Sequence, residues 1–178
     1  MTVWLASGSP RRRQLLTWAG LRVDVRPADV DETQHPDEDP ITYARRLART
    51  KAASAPPDTT VVAADTVVHL DGEVLDKPRD RDQAVAHLRR LSGRWHTVTT
   101  GVCVRAATEQ VFAVDTRVRF RDLTRDEIAA YVATGEADDK AGAYGIQGRA
   151  GAFVAEVRGS WTNVMGLPLE EVLLALKS

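Results

Sequence analysis

The stretch from Thr59 to Leu70 constrains the fold of this 178-residue chain more than any other. It reads Thr-Thr-Val-Val-Ala-Ala-Asp-Thr-Val-Val-His-Leu, apolar almost throughout. Continuous hydrophobicity of this length predicts a strand buried on both faces, as at the centre of a sheet covered by helices. Asp71-Gly72 follows at once and signals a hairpin, with Glu73 to Leu75 as a short return strand.

The rest of the chain alternates strand and helix patterns around that run. Val3 to Ala6 is a short apolar strand, and Leu21 to Arg26 alternates apolar and charged residues like a half-buried one. Pro10 to about Gly20 predicts a helix, with Ser9 as N-cap and Pro10 at the first helical position. A second helix opens at Asp39-Pro40 and runs to about Ser54, with Ile41, Ala44, Leu47 and Ala48 on one face. Arg45, Arg46, Arg49 and Lys51 read as its charged decoration. Asp80 with Gln83, and Thr124 with Glu127, are capping-box patterns that open two more helices. Strands are expected near Arg94 to Arg105, Gln110 to Phe120 and Phe153 to Val157, and a last helix over Leu169 to Lys177. There is no repeat and no linker long enough to divide the chain, so residues 1–178 are expected to form one α/β domain.

Composition narrows the function classes. A net charge of −1 argues against broad binding to nucleic acid or anionic membrane, so any anion site must be a local concentration of cations. The single Cys103 excludes an intrachain disulfide and a cysteine-rich zinc site. No apolar run is long enough to span a membrane, which makes a cytoplasmic location the expectation.

Such a concentration stands at the first helix. Ser7-Gly8-Ser9-Pro10 leads directly into Arg11, Arg12 and Arg13. Three cations at a helix N-terminus oppose a dipole that already carries roughly half a positive charge there. An anion at the same place resolves the conflict, and a phosphate site is one reading; solvated arginines are the other. Asp65 interrupts the central apolar strand, where a carboxylate is costly unless a cation or hydrogen bonds hold it. Lys77-Pro78 places a lysine on a rigid turn, and Asp139 to Gly148 combines three glycines with Lys140 and Gln147. Clustered cations, a carboxylate in a strand and a glycine-rich polar loop suit metal-assisted chemistry on a polyphosphate.

Taken in order, Ser7-Gly8-Ser9-Pro10-Arg11-Arg12, Ala64-Asp65-Thr66, Gly72-Glu73 with Lys77-Pro78, Leu91-Ser92-Gly93, and Asp139 to Gly148 resemble the Maf family of nucleotide pyrophosphatases. The resemblance covers almost the whole chain. It implies a fold related to inosine triphosphate pyrophosphatase: a long, mixed, twisted sheet flanked by helices, in two lobes with a central cleft. It implies hydrolysis of a nucleoside triphosphate to monophosphate and pyrophosphate with a divalent cation, Mg²⁺ or Mn²⁺, and a homodimer; Trp18 and Trp161 read as exposed aromatics available to such an interface. The family's proton acceptor falls on Asp65, its specificity positions on Arg11, Thr66 and Gln147, and further polar positions on Ser7, Arg12, Glu32, Lys51 and Lys77. Glu32 and Asp65 are the implied metal ligands, although Asp31-Glu32-Thr33 departs from a more uniform Glu-Glu pattern. Ala-Asp-Thr with Gly-Ile-Gln-Gly resembles the branch acting on dTTP and UTP. The rival reading is a regulatory binding protein of cell division that retains a nucleotide pocket.

Overall fold

The computed structural model describes residues 1–178. In chain order the elements are β1 (Thr2–Leu5), α1 (Pro10–Trp18), β2 (Arg22–Val25), α2 (Pro40–Ala52), β3 (Val61–Leu70), β4 (Glu73–Leu75), α3 (Arg81–Leu91), β5 (Trp95–Arg105), β6 (Glu109–Phe120), α4 (Arg125–Val132), β7 (Val154–Arg158), α5 (Trp161–Met165) and α6 (Leu169–Ala175). The strands form one seven-stranded mixed sheet in the order β2-β1-β3-β5-β6-β7, with β4 paired to β3. β1 runs parallel to β2 and to β3, whereas β3–β4 and β6–β7 are antiparallel. The expected α/β architecture with a mixed sheet and flanking helices is what the chain adopts.

Two compact units make up the chain, and β3, β5 and β6 contribute residues to both. The first comprises residues 1–66, 99–114 and 162–178. Its core is built from small residues: Ala6, Ala48, Ala52, Ala55, Val61, Ala63 and Cys103, with Trp4 packed against them. Small side chains let α2 lie close to the sheet. Gly101 of β5 marks the tightest point, because a Cβ there would sit 2.2 Å from the backbone carbonyl of Ala44 in α2. Burial pushes the Cys103 thiol up to about 11, so it is an inert core residue.

The second unit comprises residues 67–98 and 115–161. Asp71 and Gly72 both have positive φ, as a two-residue hairpin of the predicted kind requires. The core of this unit is aromatic. Phe120 packs edge-on against His96, Tyr144 and Phe153, with centroids 4.8–5.9 Å apart, and Tyr131 stacks edge-on to Phe153. His96 Nε2 and the Tyr144 hydroxyl lie 2.8 Å apart inside this cluster. Burial lowers the His96 pKa to about 4, so the imidazole is neutral at physiological pH.

Several local expectations are corrected. Ser9 occupies the N-cap of α1, but its side chain makes no capping hydrogen bond. Instead, its backbone N–H donates to the Ser7 hydroxyl at 3.3 Å. The cap of α2 is Asp39, which accepts from the backbone of both Ile41 and Thr42. Ile41 lies off the buried face of that helix, and Tyr43, Ala44, Leu47, Ala48, Lys51 and Ala52 form it. Thr124 and Glu127 form a full capping box, whereas Gln83 turns its carbonyl to the Arg79 N–H and completes only half of one with Asp80. The short α5 and two 3₁₀ turns, Ala141–Ala143 and Arg149–Phe153, were not anticipated.

Candidate active site

The turn between β1 and α1 gathers the first cluster. Arg12 sits two residues inside α1 and turns its guanidinium inward. Nη1 donates to Ser7 Oγ at 2.9 Å, Nη2 to Thr66 Oγ1 at 3.0 Å, and Nε to the Gly166 carbonyl at 2.7 Å. One planar fork thus ties the helix start, the central strand and the segment before α6. Three of its five N–H groups are used in this way, which leaves two for an anion. Burial lowers the Arg12 pKa and the neighbouring charge of Arg11 adds to that, while Asp65 and Glu32 oppose it. Gly166, at φ +115°, belongs to this arrangement: a Cβ there would stand 3.5 Å from both Arg12 Nε and Thr66 Oγ1.

The network continues through residues that the sequence did not single out. Thr66 and Thr100 face each other with their hydroxyl oxygens 3.0 Å apart, and Thr100 donates to the Asn163 carbonyl at 3.2 Å. The Thr66 hydroxyl also reaches the Gly166 carbonyl, at 3.4 Å. Thr100 and Asn163 are both fully buried. Thr100 stands among other polar residues of β5, Thr97 and Thr99, so no local sequence signal marks it.

The second cluster centres on Lys51. Its ammonium lies 2.7 Å from Asp65 Oδ1 and 2.6 Å from Glu32 Oε1. Lys51 is 7% exposed, a buried cation rather than helix decoration. Its position follows from helical periodicity. Ala44, Leu47, Ala48 and Lys51 fall at i, i+3, i+4 and i+7, one continuous face against the sheet. A buried charge is tolerated only with partners, and two carboxylates provide them.

The loop carrying Glu32 is latched to α2. Tyr43 Oη donates to the Glu32 carbonyl at 2.7 Å, and Arg46 Nη2 donates to the Thr33 carbonyl at 3.0 Å. Arg46 also forks onto the Glu38 carboxylate with two bonds of 2.7 Å. That pairing holds the Glu38 carboxyl down at about 2. The acidic loop is therefore anchored at Glu32, Thr33 and Glu38, through aromatic and guanidinium groups one helical turn apart.

Ser7, Arg12, Thr66, Glu32, Lys51 and Asp65 thus come together in the first unit as two clusters joined at the adjacent residues Asp65 and Thr66. Arg11 lies in the first turn of α1, partly exposed. Lys77 and Gln147 are exposed residues of the second unit, Lys77 after β4 and Gln147 within the glycine-rich segment. The Asp65 and Glu32 carboxylates are hard oxygen donors that share one ammonium. Mg²⁺ and Mn²⁺ prefer such donors, and Mg²⁺ commonly takes one or two carboxylates and completes its shell with water and substrate phosphates. The donor set fits a cation of that kind.

Fold and site together define an α/β protein with an inward-turned arginine beside two carboxylates held by a buried lysine. The chain belongs to the Maf-like protein family, whose model matches residues 2–178. A dTTP/UTP pyrophosphatase of Anaeromyxobacter dehalogenans strain 2CP-C is 55% identical, over 97% of this chain and 91% of that protein. One of Myxococcus xanthus is 51% identical, over 97% and 90%. Among solved structures, a nucleoside-triphosphatase / dITP/XTP pyrophosphatase of Mycobacterium abscessus aligns with a TM-score of 0.46 and 16% identity, over 77% of this chain and 96% of that one. No helix here is long and apolar enough to cross a membrane.

Proposed function

We propose that this protein is a nucleoside triphosphate pyrophosphatase that hydrolyses dTTP and UTP to the monophosphate and pyrophosphate. One observation carries the reading. On a chain matched nearly end to end by dTTP/UTP pyrophosphatases, a buried lysine holds two carboxylates beside an inward-turned arginine. A regulatory binding protein has no evident need for that charge arrangement, and no observation favours it.

In this reading Asp65 accepts a proton from the attacking water. The water oxygen bonds to the α-phosphorus, the bond to the α–β bridging oxygen breaks, and pyrophosphate leaves. Lys51 fixes where the Asp65 carboxylate points. Arg11, the two remaining N–H groups of Arg12, and Lys77 neutralise phosphate oxygens, and the Ser7 hydroxyl fixes the Arg12 fork. Asp65 and Glu32 would hold a divalent cation, which supplies charge neutralisation at the phosphates and a more acidic water. Gln147 reads the base, because its amide both donates and accepts and so matches the adjacent N–H and C=O groups of uracil or thymine. Thr66, hydrogen-bonded to Arg12, links base selection to the phosphate end.

Residues 1–178 act as one Maf-like domain in this proposal, in the cytoplasm and as a homodimer. Trp18 and Trp161, 62% and 43% exposed, are available to an interface, and light scattering reads the assembly. The decisive experiment is pyrophosphate release from purified protein across all common NTPs and dNTPs. The expected result is kcat/KM for dTTP and UTP at least about tenfold above that for ATP or GTP. Nucleotide binding without pyrophosphate release would overturn the reading.

A further inference from the structure

Residues 145–148 form a tight turn closed by the Gly148 N–H to the Gly145 carbonyl at 3.0 Å, and Gln147 sits at its third position. Outside the turn lies a carboxylate that none of the sequence motifs includes. Glu136 Oε2 accepts from the Arg149 backbone N–H at 2.9 Å, and Oε1 lies 3.7 Å from Arg149 Nε. The carboxylate also presses on Gly148, where a Cβ would stand only 2.3 Å from Glu136 Oε2. Gly148 has φ −104°, a value open to any residue. Glycine at 148 therefore serves the approach of Glu136 and not a left-handed backbone.

Glu136 is itself held in place. Its backbone N–H donates to Thr134 Oγ1 at 3.2 Å, and Thr134 Oγ1 donates to the Tyr131 carbonyl at 2.6 Å in α4. The next residue, Ala137, is fully buried. On the inner side of the turn, a Cβ at Gly145 would meet the Lys140 stem at 2.8 Å and Gln147 Nε2 at 2.9 Å. The turn is thus confined between Lys140 on one side and Glu136 on the other, and the exposed Gln147 lays its amide over Gly145.

We infer that Glu136 is a positioning residue for nucleotide selection. Its carboxylate clamps the 145–148 turn through the Arg149 N–H and the space left by Gly148, and so fixes the direction in which Gln147 presents its amide. The inference rests on the reading of Gln147 as the base-reading residue. It adds that the discrimination depends on an acidic residue eleven positions upstream that need not touch the nucleotide.

The test is steady-state kinetics with dTTP, UTP and GTP on the wild type, Glu136→Ala, Glu136→Gln, Gly148→Ala and the double variant Glu136→Ala/Gly148→Ala. Melting temperatures are recorded alongside. Glu136→Ala should raise KM for dTTP and UTP by about tenfold, leave kcat within about twofold, and shrink the preference over GTP. Glu136→Gln retains an acceptor for the Arg149 N–H and should recover most of the wild-type KM. Gly148→Ala should be damaging alone and add little in the Glu136→Ala background, because the atom it strikes has gone. Wild-type KM and selectivity in Glu136→Ala would overturn the positioning role, as would an equal loss of kcat for every nucleotide. A wild type without pyrimidine preference would instead overturn the base-reading role of Gln147, and this inference with it.

Discussion

Lys51 Nζ lies 2.7 Å from Asp65 Oδ1, and both groups are largely withdrawn from water. The pair fixes a charge on the central strand at the place where the proposed chemistry needs a carboxylate with a defined direction. It also makes the site costly to alter one residue at a time, because removing either partner strands the other.

Asp65→Asn is expected to preserve the fold and remove turnover, since the amide is nearly isosteric but neither basic nor anionic. Pyrophosphate release should fall well below a tenth of the wild-type rate. A smaller loss, under about 1.4 kcal/mol of barrier, would exclude Asp65 as the catalytic group. Lys51→Met should cost activity and stability together, the latter by about 3 kcal/mol, because it leaves the largely buried Asp65 carboxylate without its cation. Denaturant melts measure that cost.

Chelation should abolish turnover, and Mg²⁺ or Mn²⁺ should restore it, as the oxygen donors of Asp65 and Glu32 imply. Undiminished activity in excess EDTA would remove the divalent cation from the mechanism.

Gln147→Glu should lose dTTP and UTP selectively, because a carboxylate repels a carbonyl edge while the phosphate contacts remain. The ratio of kcat/KM values across the nucleotide panel reads this. An equal loss for every nucleotide would show that Gln147 does not read the base.

The Glu38–Arg46 latch gives a pH signature. Pairing lowers the Glu38 pKa from 4.5 to about 2 in the folded chain. Its stabilisation is therefore complete above the unfolded value and disappears as pH falls through about 2. The difference in melting temperature between wild type and Glu38→Gln should be constant above about pH 5.5 and shrink steadily below pH 4.5. A difference that grows on acidification would contradict the latch.

The sequence made some of this legible and hid the rest for physical reasons. The β3 run, the Asp71-Gly72 hairpin and the Thr124–Glu127 cap are local patterns, and they formed as read. Lys51 was read as helix decoration by residue type, although its spacing from Ala44, Leu47 and Ala48 places it on the buried face. Periodicity was the better guide there, and the cost of burial was met by carboxylates from two distant segments. Arg12 reads from sequence as a phosphate ligand, yet three of its bonds serve the protein itself, through partners 5, 54 and 154 residues away. The latch on the acidic loop was equally hidden, because Glu38 and Arg46 look like solvated charges until the loop folds back on α2.

Gly101 has a consequence for the proposed chemistry although it carries no side chain. Its missing methyl group is where the Ala44 backbone comes to rest on β5, and Ala44 lies two helical turns before Lys51 on the same face. The reach of the Lys51 ammonium to Asp65 is thus gauged from a neighbouring strand. A single added carbon at 101 would lift α2 by on the order of 1 Å, a displacement large enough to disturb a catalytic alignment. Tuning of this enzyme by mutation would therefore act through the seating of a helix as readily as through the groups that meet the substrate.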